Sequence, residues 1–278
     1  MAKATPSDNS GEMETVTSAD GTEIWYERSG SGPPLVLVHG AMIDRSIWDI
    51  GNVRSRLAEQ TTVYAMDRRN HGDSASSDDA SPDAQIADVV AVVESIDEPV
   101  HLLGHSSGAN YALWAALRTD NLASVIPHEP AAPPDEDIKA VLKETMGKAI
   151  ALIEEGQNEQ ALSMVVSDFA KFTPDELTEL RSSPAWDAHV DIFHQTLLPE
   201  LGAAAEFDWW NLKPFEELST PTLLLVGSES PHKGLAERLD GMMPNSQLAT
   251  FEGYGHAVHL VAPDRYTDEV LSFISEVD

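Results

Sequence analysis

Residues 104–108 read Gly-His-Ser-Ser-Gly and lie where a short apolar segment, 99–103, gives way to a helical pattern over 109–117. The pattern predicts a strand, a tight turn and a helix. A serine at such a turn is held in a strained backbone conformation, and glycine two residues to either side leaves room for the close strand and helix backbones. We therefore expect the Ser106 hydroxyl to project above the edge of a sheet, with the next amide N–H facing a developing oxyanion.

The segments on either side of this turn alternate between apolar strands and helices. Buried-strand patterns occur at 33–38, 62–66 and 221–227, and helical patterns at 234–239 and 263–277. Strands that alternate with helices in this way specify a mostly parallel sheet with helices on both faces. The sequence therefore predicts an α/β fold.

The chain divides into three predicted parts. Residues 1–14 form a flexible polar leader, and residues 15–130 and 219–278 form the core. Residues 131–218 break the alternation, because they have helical periodicity and no convincing buried strand. We expect this block to be a helical lid inserted after the sixth strand.

The composition limits the class of protein. The chain of 278 residues can bury one large core and has no cysteine, which excludes disulfides and thiol nucleophiles. The N-terminus lacks the apolar region of a signal peptide, and no apolar run approaches the roughly 20 residues needed to span a bilayer. These features predict a cytoplasmic protein without membrane association.

The net charge of −30 arises from 47 acidic and 17 basic residues. Nucleic-acid binding needs clusters of Lys and Arg, so this balance excludes a nucleic-acid partner. Acidic residues are dispersed along the chain, as in the proteins of halophiles that accumulate salt in the cell. In such cells, concentrated cations screen the repulsion among the carboxylates. An acidic surface for a partner is the alternative, and the absence of one dominant charge block favours a halophile.

Several separated motifs accompany the Ser106 turn, and with them the chain resembles the α/β-hydrolase superfamily over about residues 15–277. The resemblance is to the branch of lidded serine esterases, lactonases and cofactor-free haloperoxidase-like proteins, and it implies an eight-stranded sheet. In the motif at 67–74, Asn70 replaces a glycine of the family pattern, and asparagine tolerates positive φ. The motifs that carry the resemblance are His39-Gly40 after the third strand, residues 67–74 after the fourth, and Gly255-His256 near the C-terminus.

The resemblance implies roles for several residues. Ser106 is the expected nucleophile, and it needs a base because a serine hydroxyl is weakly nucleophilic until an imidazole takes its proton. His256 is the expected base. The backbone N–H groups of Ala41 and Ser107 are expected to form the oxyanion hole. Met42 is expected in the wall of the substrate pocket.

The acid that orients the base has two candidates. The family pattern places an aspartate three residues after the glycine that ends the seventh strand, and that position is Ser230. Glu229 stands one residue earlier. The resemblance to related sequences with this variant implies that Glu229 is the acid. Glu129, after the sixth strand, is the alternative. A carboxylate at either position could hold the imidazole tautomer, and we favour Glu229.

The expected activity is hydrolysis of a small ester or lactone through an acyl-enzyme, without a cofactor. Carbon–carbon bond hydrolysis, lyase activity or perhydrolysis uses the same residues, and a non-catalytic ligand-binding protein is a further alternative. Two lid aromatics, Trp186 and Trp210, are candidates for the substrate pocket, although for any one lid aromatic packing in the lid's own core is the favoured explanation. His256 and His259 have a spacing seen in zinc sites, but no third ligand has a suitable spacing, so no metal is expected. The sequence does not indicate an oligomeric state.

Overall fold

An eight-stranded sheet forms the centre of the protein in a computed structural model that describes residues 11–131, 136–204, 207–209 and 211–277. The strand order is β1-β2-β4-β3-β5-β6-β7-β8. The pairs β1–β2 and β2–β4 are antiparallel and the remaining pairs are parallel. The strands are β1 (Glu12–Thr17), β2 (Glu23–Gly30), β3 (Pro34–Val38), β4 (Thr62–Met66), β5 (Val100–His105), β6 (Leu122–His128), β7 (Thr222–Gly227) and β8 (Ser246–Phe251).

Helices cover both faces of the sheet. A 3-10 segment (Arg45–Asn52) precedes α1, and another (Lys213–Glu217) precedes β7. The α-helices are α1 (Val53–Leu57), α2 (Pro82–Glu94), α3 (Ser107–Ala115), α4 (Glu136–Glu154), α5 (Asn158–Asp168), α6 (Pro174–Ser182), α7 (Trp186–Ala204), α8 (Lys233–Asp240), α9 (Val258–Val261) and α10 (Pro263–Val277).

The central strands are apolar throughout because both of their faces are covered. In β3, Leu35 and Leu37 pack into the apolar cluster that includes residues of α10, whereas Val36 and Val38 pack into the cluster on the α2 side. Every residue of β3, β5 and β7 is buried. Continuous apolar runs are typical of parallel strands buried on both faces, so the predicted α/β fold with its eight strands is confirmed.

Local signals position the helices. The Ser81 hydroxyl accepts the N–H of Ala84 at 3.3 Å, and Pro82 occupies the first turn of α2. Asn70 adopts φ 66°, the left-handed conformation that the family pattern gives to glycine. The turn at 67–74 is therefore preserved despite the substitution.

The division of the chain differs from the prediction at its start. β1 begins at Glu12, so residues 12–14, expected in the leader, belong to a strand that pairs with β2. Residues 1–10 of the predicted leader lie outside the described residues. Helices α4–α7 come between β6 and β7, in the block 131–218 where a lid is predicted. Within the described residues, no helix has the length and apolarity that crossing a membrane requires.

Candidate active site

Ser106 follows β5 directly and has φ 56° and ψ −122°, a strained conformation for a residue with a side chain. Its backbone N–H donates to the carbonyl of His128 at 2.9 Å. A Cβ at Gly104 would collide with the carbonyl oxygen of Gly108, and a Cβ at Gly108 would collide with the carbonyl oxygen of Val38. The turn therefore has the tight geometry that the sequence predicts, and it depends on both glycines.

Two backbone N–H groups lie beside this serine. Ser107 is the first residue of α3, where N–H groups have no acceptor within the helix. The loop after β3 approaches from the other side, since a Cβ built on Gly40 would lie 3.2 Å from the Cβ of Ser106. Ala41 is the next residue along this loop. Ser107 and the loop that carries Ala41 thus lie on either side of Ser106, and their role as an oxyanion hole stays a prediction.

The peptide that joins Gly40 to Ala41 is held from behind. The Gly40 carbonyl accepts a hydrogen bond from Arg68 Nη2 at 2.7 Å, and His39 Nδ1 lies 2.8 Å from the same oxygen. The Arg68 backbone N–H donates to His39 Nε2 at 3.0 Å, so Nδ1 carries the ring proton and donates. Carbonyl and N–H point in opposite directions in a trans peptide. These bonds therefore turn the Ala41 N–H away from Arg68.

Arg68 is itself held by a buried carboxylate on α7. Its Nη1 lies 2.7 Å from Glu200 Oε1, and both side chains are buried. The Tyr111 hydroxyl donates to the same Glu200 oxygen at 3.0 Å, and Arg68 also donates to Gln85. The sequence analysis missed this network, because nothing in the helical pattern of α7 distinguishes Glu200 from a solvated acid.

His256 lies in the loop after β8 and is 1% exposed. Its Nδ1 is 3.4 Å from Oε2 of Glu129, a fully buried residue that follows β6 with φ 57°. Glu129 Oε1 accepts the N–H of Gly227 at 2.6 Å, and Oε2 accepts the hydroxyl of Ser230. The structure thus brings His256 together with Glu129, whose carboxylate also accepts hydrogen bonds from Gly227 and Ser230.

Glu229, the acid favoured by the sequence, is not brought to His256. Its side chain is exposed, and its carboxylate accepts the Ser228 hydroxyl at 3.1 Å. The turn after β7 directs Ser230 inward and Glu229 outward. The structure therefore brings the alternative candidate, Glu129, to His256 and leaves the favoured Glu229 outside, and the role of the acid stays a prediction. Ser230, which occupies the family's usual acid position, donates its hydroxyl to Glu129.

Burial controls the charge of both groups. Desolvation lowers the pKa of His256 to about 3, so the imidazole is neutral at neutral pH. Desolvation raises the pKa of Glu129 to about 7, although the hydrogen bonds from Ser230 and Gly227 lower it. A neutral imidazole is the form that can accept a proton from Ser106.

Among the described residues, no hydrogen bond joins the Ser106 hydroxyl to His256. Catalytic hydrogen bonds are often long without substrate and tighten in the substrate complex. The rings nearest to His256 are those of His105 and His232, each 4.9 Å away between centroids, and of Phe172 at 5.6 Å. The His256 ring therefore packs among three other rings.

Helix α6 contacts the loop that carries His256. Glu176 Oε1 accepts the N–H of Ala257 at 2.8 Å, and Oε2 accepts the N–H of Thr173 at 2.7 Å. A Cβ on Gly255 would lie 2.8 Å from the Thr173 side chain, so glycine permits the close approach. Thr173 and Glu176 form a helix capping box, and the sequence analysis predicted neither this motif nor its contact with the His256 loop.

The predicted pocket residues are placed as follows. Met42 is 6% exposed and Trp186 is 7% exposed, and both belong to one apolar cluster that joins the sheet to helices α5–α7. Trp210 lies outside the described residues. Contact with a substrate therefore stays a prediction for Met42 and Trp186.

The comparison with known proteins agrees with this geometry. The model of the alpha/beta hydrolase family matches residues 35–269, and the chain belongs to this family. A crystal structure of an alpha/beta hydrolase from Sphaerobacter thermophilus superimposes with a TM-score of 0.76 at 30% identity, covering 94% of this chain and 100% of that one.

Curated relatives include enzymes of several names. The sn-1-specific diacylglycerol lipase ABHD11 of Mus musculus is 27% identical over 87% of this chain and 81% of its own length. A non-heme haloperoxidase of Rhodococcus erythropolis is 25% identical over 94% of this chain and 99% of its own length. The homologues thus include a lipase and a haloperoxidase, which supports an α/β-hydrolase enzyme.

Proposed function

We propose that this protein is a serine hydrolase that cleaves a small ester or lactone through an acyl-enzyme. The observation that carries the proposal is the arrangement at one edge of the sheet: a strained Ser106 between the start of α3 and the loop after β3, and a buried His256 beside the Glu129 carboxylate. The lipase name of one relative supports ester chemistry, as does an esterase from Rhodococcus sp. ECU1013 with the same fold.

The reaction proceeds in two steps. His256 takes the Ser106 proton while the serine oxygen attacks the substrate carbonyl, and the N–H groups of Ala41 and Ser107 stabilise the oxyanion. His256 then returns the proton to the leaving alcohol. In the second step His256 activates a water, which attacks the acyl-enzyme and releases the acid. Glu129 holds the imidazole tautomer and stabilises the imidazolium in both steps.

Two further features belong to the proposal. Helices α4–α7 act as a lid, since Glu176 and Glu200 connect them to the His256 loop and to Arg68. The net charge of −30 supports work at high salt in a halophile, because screening reduces repulsion among exposed carboxylates. We propose a cytoplasmic location and a small-molecule substrate.

A fluorophosphonate probe tests the nucleophile. We expect one covalent adduct, mapped by peptide mass spectrometry to Ser106, and turnover of short p-nitrophenyl esters by the unlabelled protein. The Ser107→Ala variant is the matched control, because it removes the neighbouring hydroxyl but keeps the backbone N–H. Labelling of a residue other than Ser106 would contradict the proposal, as would equal turnover by Ser106→Ala and the wild type at high salt.

The pH dependence tests the acid. Because burial raises the pKa of Glu129 to about 7, we expect kcat/KM to fall as the pH drops through an apparent value near 7 that belongs to the His256–Glu129 pair. The Ser230 hydroxyl stabilises the ionised carboxylate, so Ser230→Ala raises this apparent pKa by about 1 unit. Ser228→Ala, which removes a hydroxyl from exposed Glu229, leaves the profile unchanged. An unshifted profile for Ser230→Ala would remove Glu129 from this role.

A further inference from the structure

Three buried histidines cluster behind the candidate active site. His105 ends β5, His128 ends β6 and His259 lies on α9. Each offers a ring nitrogen, and these three atoms lie within 4.8 Å of one another. The ring centroids are 4.7 Å apart for His105 and His128, 4.5 Å for His105 and His259, and 5.2 Å for His128 and His259.

Most ring nitrogens of this trio have no hydrogen-bond partner. The atoms concerned are Nδ1 of His105 and both nitrogens of His128 and His259. Buried polar atoms are almost always paired, because each unpaired one loses its hydration without compensation. Five such atoms on three adjacent side chains indicate that a polar occupant belongs among them.

The hydrogen bonding of His105 favours a metal ion as that occupant. His105 Nε2 lies 3.1 Å from the backbone carbonyl of His256 and donates to it, which leaves the lone pair on Nδ1. Histidine ligands typically donate their second nitrogen to a carbonyl or carboxylate in this way. Burial also lowers the pKa of all three rings, so they are neutral, as metal binding requires.

We propose that His105, His128 and His259 bind one transition-metal ion of the zinc class. Imidazole is a preferred ligand of such ions. Binding draws the three nitrogens from up to 4.8 Å apart to the roughly 3.4 Å expected for a tetrahedral site with Zn–N bonds of about 2.0–2.1 Å. The Tyr266 hydroxyl is also buried without a partner, and its ring lies 4.9 Å from that of His128.

The metal would have a structural role and would hold in place the segments that carry Ser106, Glu129 and His256. His105 precedes Ser106, and His128 precedes Glu129, while His256 is tied to His105 through its carbonyl. The spacing of His256 and His259 alone offered no third ligand. The fold supplies His105 and His128 from two neighbouring strands and leaves His256 for Glu129.

Metal titration of the full chain tests the proposal independently of hydrolysis. The protein is purified without a histidine tag, treated with a chelator and dialysed into about 2 M KCl with excess Mg²⁺, which screens and occupies carboxylates. We expect one equivalent of Zn²⁺ to bind tightly by calorimetry and to raise the melting temperature. We expect Co²⁺ to give the visible absorption bands of a tetrahedral site with nitrogen ligands.

Variants locate the site. His259→Phe is expected to weaken Zn²⁺ binding by at least 10-fold, consistent with the loss of one ligand. His194→Phe, which changes a histidine of α7 outside the cluster, keeps wild-type binding. Ser106→Ala keeps the metal even where hydrolysis fails, so the two proposals can be separated.

Three results would overturn the proposal. One is the absence of tight binding of one Zn²⁺ equivalent, which would assign the unpaired nitrogens to internal water. Another is equal binding by wild type and His259→Phe. The third is a Co²⁺ spectrum of the wild type that is typical of octahedral coordination by oxygen ligands. This measurement tests the proposal even if His259→Phe does not fold.

Discussion

Replacement of Glu129 by glutamine is expected to lower kcat/KM by about 10³- to 10⁴-fold with little change in fold. The glutamine oxygen can still accept the N–H of Gly227, but its amide nitrogen then faces His256 Nδ1. Two donors cannot share this contact, so the ring proton moves to Nε2 and the imidazole can no longer accept the proton of Ser106. Steady-state kinetics on a p-nitrophenyl ester measure the loss, and circular dichroism checks the fold.

Glu229→Gln is the matched control, since it makes the same chemical change one loop away on an exposed side chain. We expect its kcat/KM to stay within about twofold of wild type, as for surface substitutions in general. The reverse pattern, a large loss at Glu229 and none at Glu129, would show that the loops rearrange before catalysis and would return the role to Glu229.

Replacement of Arg68 by methionine is expected to destabilise the protein by about 3–5 kcal/mol, because it leaves the buried Glu200 carboxylate without its cation. Urea unfolding at high salt measures this change. In Arg68→Met with Glu200→Leu, the unpaired charge is gone, and most of the lost stability is expected to return.

Arg68 is also expected to position the loop after β3 that carries Gly40 and Ala41. The same single and double variants separate this role from the effect on stability. The Gly40 carbonyl loses its Arg68 donor in both the single and the double variant. We expect kcat to fall about 10- to 100-fold in both, with little change in KM, because the Ala41 N–H is less firmly directed at the transition state. Recovery of kcat together with stability in the double variant would reduce Arg68 to a purely structural residue.

The sheet and the serine turn were predictable because their signals are local. Continuous apolar runs identified β3, β5 and β7, and Pro263 marked the start of α10 at the residue where the structure begins it. Gly104 and Gly108 carried the turn, since only glycine fits against the neighbouring carbonyls. The start of β1 was placed too late because its first residues alternate with acids and are exposed.

The identity of the carboxylate that lies beside His256 was not predictable from the spacing of residues in the sequence. Glu129 and Glu229 both follow parallel strands that are adjacent in the sheet, so each arrives at the correct edge. The placement depends on which turn points its side chain inward, and in the structure the Glu129 side chain is the one that is buried beside His256. The pairing of Arg68 with Glu200 was hidden for a related reason, because 132 positions separate them.

The contact between Glu176 and Ala257 has a consequence for the design of chimeras. Substrate preference in such proteins could be altered by grafting the segment 131–218 from a homologue onto this scaffold. A donor segment that lacks the Thr173 and Glu176 pair would leave the backbone beside His256 without an acceptor. The loop that carries His256 would then be held less firmly in the chimera, so a successful graft must include Thr173 and Glu176.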